Sequence, residues 1–195
     1  MKTQIQNLTN TFFKASIVLA LLFTANTSFA TTIIVDSIND SGVGSLRSAA
    51  AAASSGDTIR FNPNLLTAAV DSISLVTEID FAAKAIVIKG LYTATDTLFI
   101  SGANSSRIFS FNGAGKVVLD SLVLINGNGL GATSSNYGGA VLYYEGTDTL
   151  HILNAVIRKN TASYAGGVYS YSNPNSSYVV ITNSTISNNI AAINA

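Results

Sequence analysis

The sequence predicts an all-β protein, a right-handed parallel β-helix with a short N-terminal cap that contains a helix. Three observations lead to this fold class: the composition, short apolar segments that alternate with a period of two, and internal repeats. The chain has 195 residues, of which 48% are hydrophobic and only 10% are charged, and it contains 15 Gly but no Cys. Many short strands joined by tight turns give such a composition, and disulfides cannot hold them together.

The first 30 residues are predicted to form a cleaved signal peptide. Lysines precede and flank an apolar run at 15–23, which is too short to span a bilayer comfortably. Ser28 and Ala30 then place small side chains at the two positions that a signal peptidase reads. We expect cleavage after Ala30 and export of the mature chain to the extracellular space or the bacterial outer-membrane surface, with no membrane-spanning segment left. An uncleaved membrane anchor is the alternative.

Residues 31–66 are predicted to form an N-terminal cap. A strand is expected at 32–37 and a turn at 41–44, and Ser45 can cap a short helix that ends in a run of alanines. A second strand follows at 58–61. A solenoid needs such a cap to cover its first open coil.

Residues 67–195 are predicted to form the coils of the β-helix. Early strands are indicated by four apolar runs: 73–76, 85–88, 97–100 and 108–111. A helical solenoid would show apolar residues at i, i+3, i+4 and i+7 over a dozen positions, and these runs are too short for that pattern. Strands are therefore the better interpretation.

Three later segments align without a gap and predict stacked coils. They are 118–126, 152–160 and 181–189, and their columns are Asp120 with Asn154 and Asn183, Val123 with Ile157 and Ile186, and Asn126 with Asn160 and Asn189. Steps of 34 and 29 residues between the last three lie in the range of solenoid repeats. We expect the aliphatic column to fill the bore, and the Asn columns to form left-handed turns whose amides bond to each other.

A second repeated element lies between these segments. Tyr137-Gly138-Gly139-Ala140-Val141 is matched 27 residues later by Tyr164-Ala165-Gly166-Gly167-Val168, and Tyr144 is matched by Tyr171 at the same step. The glycines Gly138, Gly139, Gly166 and Gly167 indicate a turn that needs a positive φ or the absence of a Cβ. The paired tyrosines are expected to stack on neighbouring coils.

These motifs resemble two groups of bacterial proteins. The segment 40–47 followed by 56–59 resembles the N-terminal capping segment of secreted right-handed parallel β-helix proteins, and the Asn-ending repeats with 138–141 are similar to the short repeats of polymorphic outer-membrane proteins. The resemblance implies fold and secretion but no particular activity. In the first of those repeats Ile or Val stands in place of Phe, and no sorting domain or barrel follows, so we expect the chain to be truncated at its C-terminus.

Charge and motif content limit the function. A net charge of zero gives no electrostatic case for nucleic acid or an anionic membrane. In the repeat region the only acidic residues are Asp120, Glu145 and Asp148, and His151 is the only histidine. A calcium-dependent lyase or a glycoside hydrolase needs clustered carboxylates. No catalytic residue, metal site or cofactor is therefore predicted.

The tyrosines support the best binding hypothesis. Tyr144 and Tyr171, if exposed, offer flat faces and hydroxyls to sugar rings, so an extracellular polysaccharide or a host or cell-surface glycan is the expected partner. The same residues could instead form an aromatic ladder that only stabilises the solenoid. A polysaccharide lyase or glycoside hydrolase fragment that lacks its active site, and a surface-layer role without a ligand, stay open as alternatives.

Overall fold

The computed structural model describes residues 30–68, 70–92, 96–172 and 177–192. The predicted signal peptide, apart from Ala30, lies outside the described residues. The strands are β1 (Thr32–Val35), β2 (Thr58–Phe61), β3 (Val70–Ser74), β4 (Ile79–Asp80), β5 (Ile86–Lys89), β6 (Thr97–Ser101), β7 (Phe109–Asn112), β8 (Val117–Asp120), β9 (Val123–Ile125), β10 (Val141–Tyr144), β11 (Thr149–Leu153), β12 (Val156–Arg158), β13 (Thr161–Ala162), β14 (Val168–Tyr171), β15 (Tyr178–Thr182), β16 (Thr185–Ser187) and β17 (Ile190–Ala191). One α-helix, α1 (Leu46–Ala52), and a 3-10 turn at Pro63–Leu65 complete the described elements.

The strands form three sheets that run along a solenoid of about five turns. Sheet 1 has the order β1-β2-β5-β8-β11-β15, sheet 2 the order β3-β6-β9-β12-β16, and sheet 3 the order β4-β7-β10-β14, while β13 pairs with β17. Every pairing between these strands is parallel. The predicted parallel β-helix is confirmed. Within the described residues no helix is both long and apolar enough to cross a bilayer.

Side chains in register fill the bore, which explains the alternating sequence. Sheet 1 contributes the buried column Ile59, Ile88, Leu119 and Ile152, and sheet 2 contributes Ile73, Ile100, Leu124 and Ile157. On the sheet 3 side, Phe81 stacks on Phe111 with ring centroids 5.1 Å apart. Full burial of each such side chain contributes roughly 1.5–3 kcal/mol, so the columns are the main source of stability.

The predicted cap helix is confirmed, together with its N-cap. The Ser45 hydroxyl accepts a hydrogen bond from the Ser48 amide at 3.1 Å. Leu46, Ala49 and Ala50 are buried in the same apolar core as the coils, and α1 contacts β1 and β4. An alanine-rich face lets the helix approach closely, so the core is covered at the N-terminal end of the solenoid.

Asp57 ties this cap to the chain that precedes β1. Its Oδ1 accepts hydrogen bonds from the Thr31 amide at 2.7 Å and the Thr31 hydroxyl at 2.9 Å, and its Oδ2 accepts one from the Ser54 amide at 2.8 Å. These donors, the Ser54 amide first, hold the pKa of Asp57 below its ordinary value. The carboxylate is therefore charged at neutral pH and serves the fold.

The structure corrects the predicted alignment of the first repeat by one residue. Val123 lies opposite Val156 and not Ile157, and Asp120 lies opposite Leu153 and not Asn154. Continuing this register, Asn126 is opposite Lys159, so its alignment with Asn160 and Asn189 was wrong. The reason is that residues 123–125 are all aliphatic, so the sequence does not show that it is residue 124 that enters the bore.

The correction separates two roles that the Asn columns were expected to combine. The left-handed turn residues at this corner are Asn126, Lys159 and Asn188, with φ of 54°, 57° and 53°. The next residue forms the amide ladder: buried Asn160 donates from Nδ2 to the Asn189 Oδ1 at 2.9 Å and accepts at Oδ1 from the Gly127 amide at 2.7 Å. One position makes the turn and its neighbour holds the coils together.

The glycine repeat aligns as predicted, with an isolated parallel bridge between Tyr137 and Tyr164. Gly138 has a φ of +62°, and a Cβ on Gly139 would clash with the carbonyl oxygen of Gly166. Gly166 is itself close to the backbone of β17, whereas Gly167 has more room. Three of the four glycines are therefore required by backbone conformation or by close approach of neighbouring coils.

Candidate functional site

A cleft on the outer face of sheet 3 brings four tyrosines together. It has a volume of about 260 Å³ and is lined by Ser134, Tyr137, Tyr144, Tyr169 and Tyr171. We refer to it as the tyrosine cleft. Both predicted glycan-binding residues, Tyr144 and Tyr171, line it, and the other three were not predicted.

Strand register builds one side of the cleft. Val141 and Tyr143 of β10 point into the bore, so the alternation of the strand places Tyr144 outside. Tyr144 is paired in register with Tyr171 of β14, and the two rings stack with centroids 5.2 Å apart at 20°. The predicted stacking is confirmed, and Tyr171 keeps 39% of its surface exposed.

The second tyrosine pair forms the opposite side. Tyr137 stacks on Tyr164 with ring centroids 4.6 Å apart at 12°, as the 27-residue step predicted. Tyr169 meets Tyr137 edge to face, at 4.7 Å and 61°. The sequence held a signal for Tyr169: it lies two residues before Tyr171 in an alternating strand, and therefore on the same face.

A buried arginine positions the loop that carries Ser134 and Tyr137. This loop, residues 126–140, connects β9 to β10 and lies outside the repeat. The Arg107 side chain is fully buried and donates hydrogen bonds to five loop carbonyls, those of Gly129, Thr133, Ser134, Tyr137 and Gly138. One guanidinium thus fixes the loop along most of its length.

Glu78 completes this anchor. Its Oε2 pairs with Nη1 of Arg107 at 2.6 Å, and its Oε1 accepts a hydrogen bond from the Ala132 amide at 2.5 Å. Burial lowers the pKa of Arg107 and the Glu78 carboxylate opposes that effect, so the guanidinium stays charged at neutral pH. Neither residue repeats along the sequence, and for that reason the anchor was not predicted.

The cleft itself is neutral. No charged side chain lines it. Burial, followed by the nearby tyrosines, raises the pKa of Tyr169, so its hydroxyl stays protonated and can donate or accept a hydrogen bond. Flat aromatic faces beside neutral hydroxyls suit a ligand that has apolar C–H faces and hydroxyl groups of its own.

The residues weighed for catalysis lie apart from this cleft. Asp120 accepts hydrogen bonds from Asn154 and Ser121, each at 3.0 Å, and pairs with Lys89 at 3.3 Å. His151 lies on sheet 1, opposite Val118 and Val180. Within the described ranges no three His, Cys, Asp or Glu residues are grouped so that they could hold a metal ion.

Comparison with known proteins gives no family for this chain. The sequence matches no protein-family model, and it has no significant match among curated proteins or solved structures. The functional argument therefore depends on the fold and on the chemistry of the cleft.

Proposed function

We propose that this chain is an exported, surface-located β-helix scaffold that binds neutral carbohydrate in the tyrosine cleft. The observation that carries the proposal is the convergence of four tyrosines and Ser134 on one uncharged cleft. The tyrosines come from β10, β14 and the 126–140 loop, so the sheet and the Arg107 anchor hold their rings in place before a ligand arrives. A rigid site of this kind loses little conformational entropy on binding.

The size and chemistry of the cleft favour sugar over other neutral ligands. Its volume of about 260 Å³ is below the roughly 300–1,000 Å³ of pockets for drug-sized molecules, which favours a single sugar ring at a time. The exposed face of Tyr171 can stack on the C–H face of a pyranose. The hydroxyls of the tyrosines and Ser134 supply donors and acceptors for sugar hydroxyls.

Export and surface location rest on sequence features. The N-terminal segment has the organisation of a signal peptide, and the motifs at 40–47 and 138–141 resemble secreted β-helix and polymorphic outer-membrane proteins. An adhesion role fits a solenoid, because stacked coils extend a binding surface along one axis. Fractionation of cells that express the full chain, with N-terminal sequencing of the exported product, tests this part. A product that begins at Thr31 is expected, and retention in the cytoplasm would contradict it.

Binding is tested with the full chain, expressed in a bacterium that can process the N-terminal segment. A glycan array identifies neutral oligosaccharides that bind, and calorimetry gives their Kd. The variant Tyr144→Ala with Tyr171→Ala should raise that Kd about tenfold or more, because each aromatic stacking contact contributes ~0.5–1.5 kcal/mol.

Tyr178→Ala is the matched control, since Tyr178 is 68% exposed and lies outside the cleft. It should leave the Kd unchanged. The proposal fails if no neutral glycan binds, or if the double variant binds the same glycans as tightly as the unmodified chain.

A further inference from the structure

A second cleft lies on sheet 1, away from the tyrosine cleft. It has a volume of about 460 Å³, and the residues around it are Ile34, Arg60, Phe61, Pro63, Lys89, Gly90, Leu91, Asp120 and Ser121. We refer to it as the Arg60 cleft. It combines an apolar floor with three charged side chains, a composition that the tyrosine cleft lacks.

Parallel register places its charged residues in one outward column. Ile34 pairs with Arg60, Arg60 with Lys89, and Lys89 with Asp120. Ile59 and Phe61 on either side of Arg60 are buried, so Arg60 points outward. Neighbouring positions in such a column are ~4.8 Å apart, so two cations and one anion follow one another along the sheet.

The charges in this column do not cancel. Lys89 pairs with Asp120 at 3.3 Å. Burial tends to raise the pKa of Asp120, but hydrogen bonds from Asn154, Ser121 and Lys89 outweigh it and hold that pKa below its ordinary value. Asp120 is therefore ionised at neutral pH and neutralises Lys89.

Arg60 is left as the surplus charge. Among the residues that the structure describes, no acidic side chain lies within salt-bridge distance of it. Because its in-register neighbour Lys89 is also a cation, Arg60 gains nothing from that side, and like charges directly opposite each other are unfavourable. The cleft thus carries one positive charge that an anion can neutralise.

The floor of the cleft is apolar and open to a ligand. Ile34 is 44% exposed, and Leu91 is only partly buried against the core. A charged group alone would leave these side chains in contact with water. A ligand with an apolar body would cover them and gain about 25 cal/mol for each Å² of apolar surface removed from water.

We propose that the Arg60 cleft binds a small organic carboxylate, whose single negative charge pairs with Arg60 and whose apolar body lies against Ile34 and Leu91. The planar guanidinium matches the two oxygens of a carboxylate. The ionised Asp120 disfavours ligands with a second negative charge, such as phosphate monoesters. This site is independent of the proposed carbohydrate binding, because it uses a different sheet and different chemistry.

Four probes separate the charge of the ligand from its apolar body. The full chain is titrated with sodium hexanoate, sodium acetate, hexanamide and inorganic phosphate, and binding is followed by NMR chemical shifts. Hexanoate should bind about tenfold more tightly than either acetate, which has the charge alone, or hexanamide, which has the body alone. Equal affinity for hexanoate and acetate, tighter binding of phosphate, or no saturable binding of hexanoate would overturn the proposal.

Variants locate the site. Arg60→Gln should weaken hexanoate binding about tenfold, since a hydrogen-bonded charge is lost. Lys116→Gln removes the same charge from an exposed position just before β8, at the other end of sheet 1, and should have no effect. Ile34→Thr should weaken hexanoate but not acetate.

A fourth variant tests the role assigned to Asp120. Asp120→Asn should tighten hexanoate binding and let phosphate bind, because Lys89 is no longer neutralised. Circular dichroism and the thermal midpoint verify that each variant is folded. If Arg60→Gln binds hexanoate like the unmodified chain, or Lys116→Gln weakens it equally, the ligand does not occupy this cleft.

Discussion

The ion pair between Arg107 and Glu78 gives a quantitative prediction for the tyrosine cleft. Arg107 is fully buried and Glu78 nearly so, and together they hold the 126–140 loop through the contacts described above. Arg107→Met removes the cation and leaves Glu78 buried without its partner. Breaking a buried pair in this way costs about 3–5 kcal/mol, and we expect a loss of unfolding free energy in that range.

The expected loss has a spatial signature. Without Arg107 the carbonyls of the loop lose their donor, and Tyr137 is no longer held beside Tyr169. The near-ultraviolet circular dichroism of the stacked tyrosines should fall, while the far-ultraviolet signal of the coils persists. Urea unfolding followed by tyrosine fluorescence measures the free energy, and the sequence has no Trp to obscure that signal.

A double-mutant cycle separates the ion pair from the other contacts. Glu78→Met with Arg107→Met should be less destabilised than the sum of the two single variants, because no unpaired buried charge remains. Arg60→Met is the control: it removes an exposed arginine and should change the unfolding free energy by no more than about 0.5 kcal/mol. If Arg107→Met costs less than about 1 kcal/mol and leaves the tyrosine signal intact, the loop is held by something else.

Three further predictions concern the coils and the cap. Asp57→Asn should lower the thermal midpoint at pH 7 but not at pH 2: the folded pKa of Asp57 is depressed, so its contribution is present above about pH 4, the pKa of an unfolded Asp, and is lost as the pH falls through the folded pKa. Equal destabilisation at both pH values would contradict this. Asn160→Ala should cost about 1–3 kcal/mol in urea unfolding, because buried amide partners lose their bonds, whereas Asn126→Gly should stay within about 0.5 kcal/mol; similar costs would refute the two assigned roles. Gly139→Ala should cost more than about 2 kcal/mol because its Cβ meets a neighbouring carbonyl, and Gly167→Ala should cost clearly less.

The sequence predicted the fold because each coil repeats the same local requirements. Alternation gave most of the early strands, and Ser45 before an alanine run gave α1. β4, with only two residues, was missed because a pair of residues has no period. The register slip at 123–125 has a related cause: three aliphatic residues in a row do not show which one faces the bore.

The candidate site was predicted only where it repeats. Tyr144 and Tyr171 recur at a fixed step, and the structure pairs them in register. Arg107 and Glu78 are 29 residues apart and occur once each, so no pattern links them before the chain folds. The loop that they anchor interrupts the repeat, and tertiary contacts outside a repeat cannot be inferred from its period.

The clamp that Asp57 makes on Thr31 links maturation of the chain to its stability. The nitrogen 2.7 Å from the Asp57 carboxylate belongs to an amide while a leader is attached. If a peptidase cuts after Ala30, the same nitrogen becomes an ammonium group, and the hydrogen bond becomes a salt bridge. Removal of the leader would then tighten the cap, so that the chain folds more stably after export than before it. A chain that begins at Thr31 should melt at a higher temperature than the same chain with that nitrogen acetylated, and equal midpoints would contradict this link.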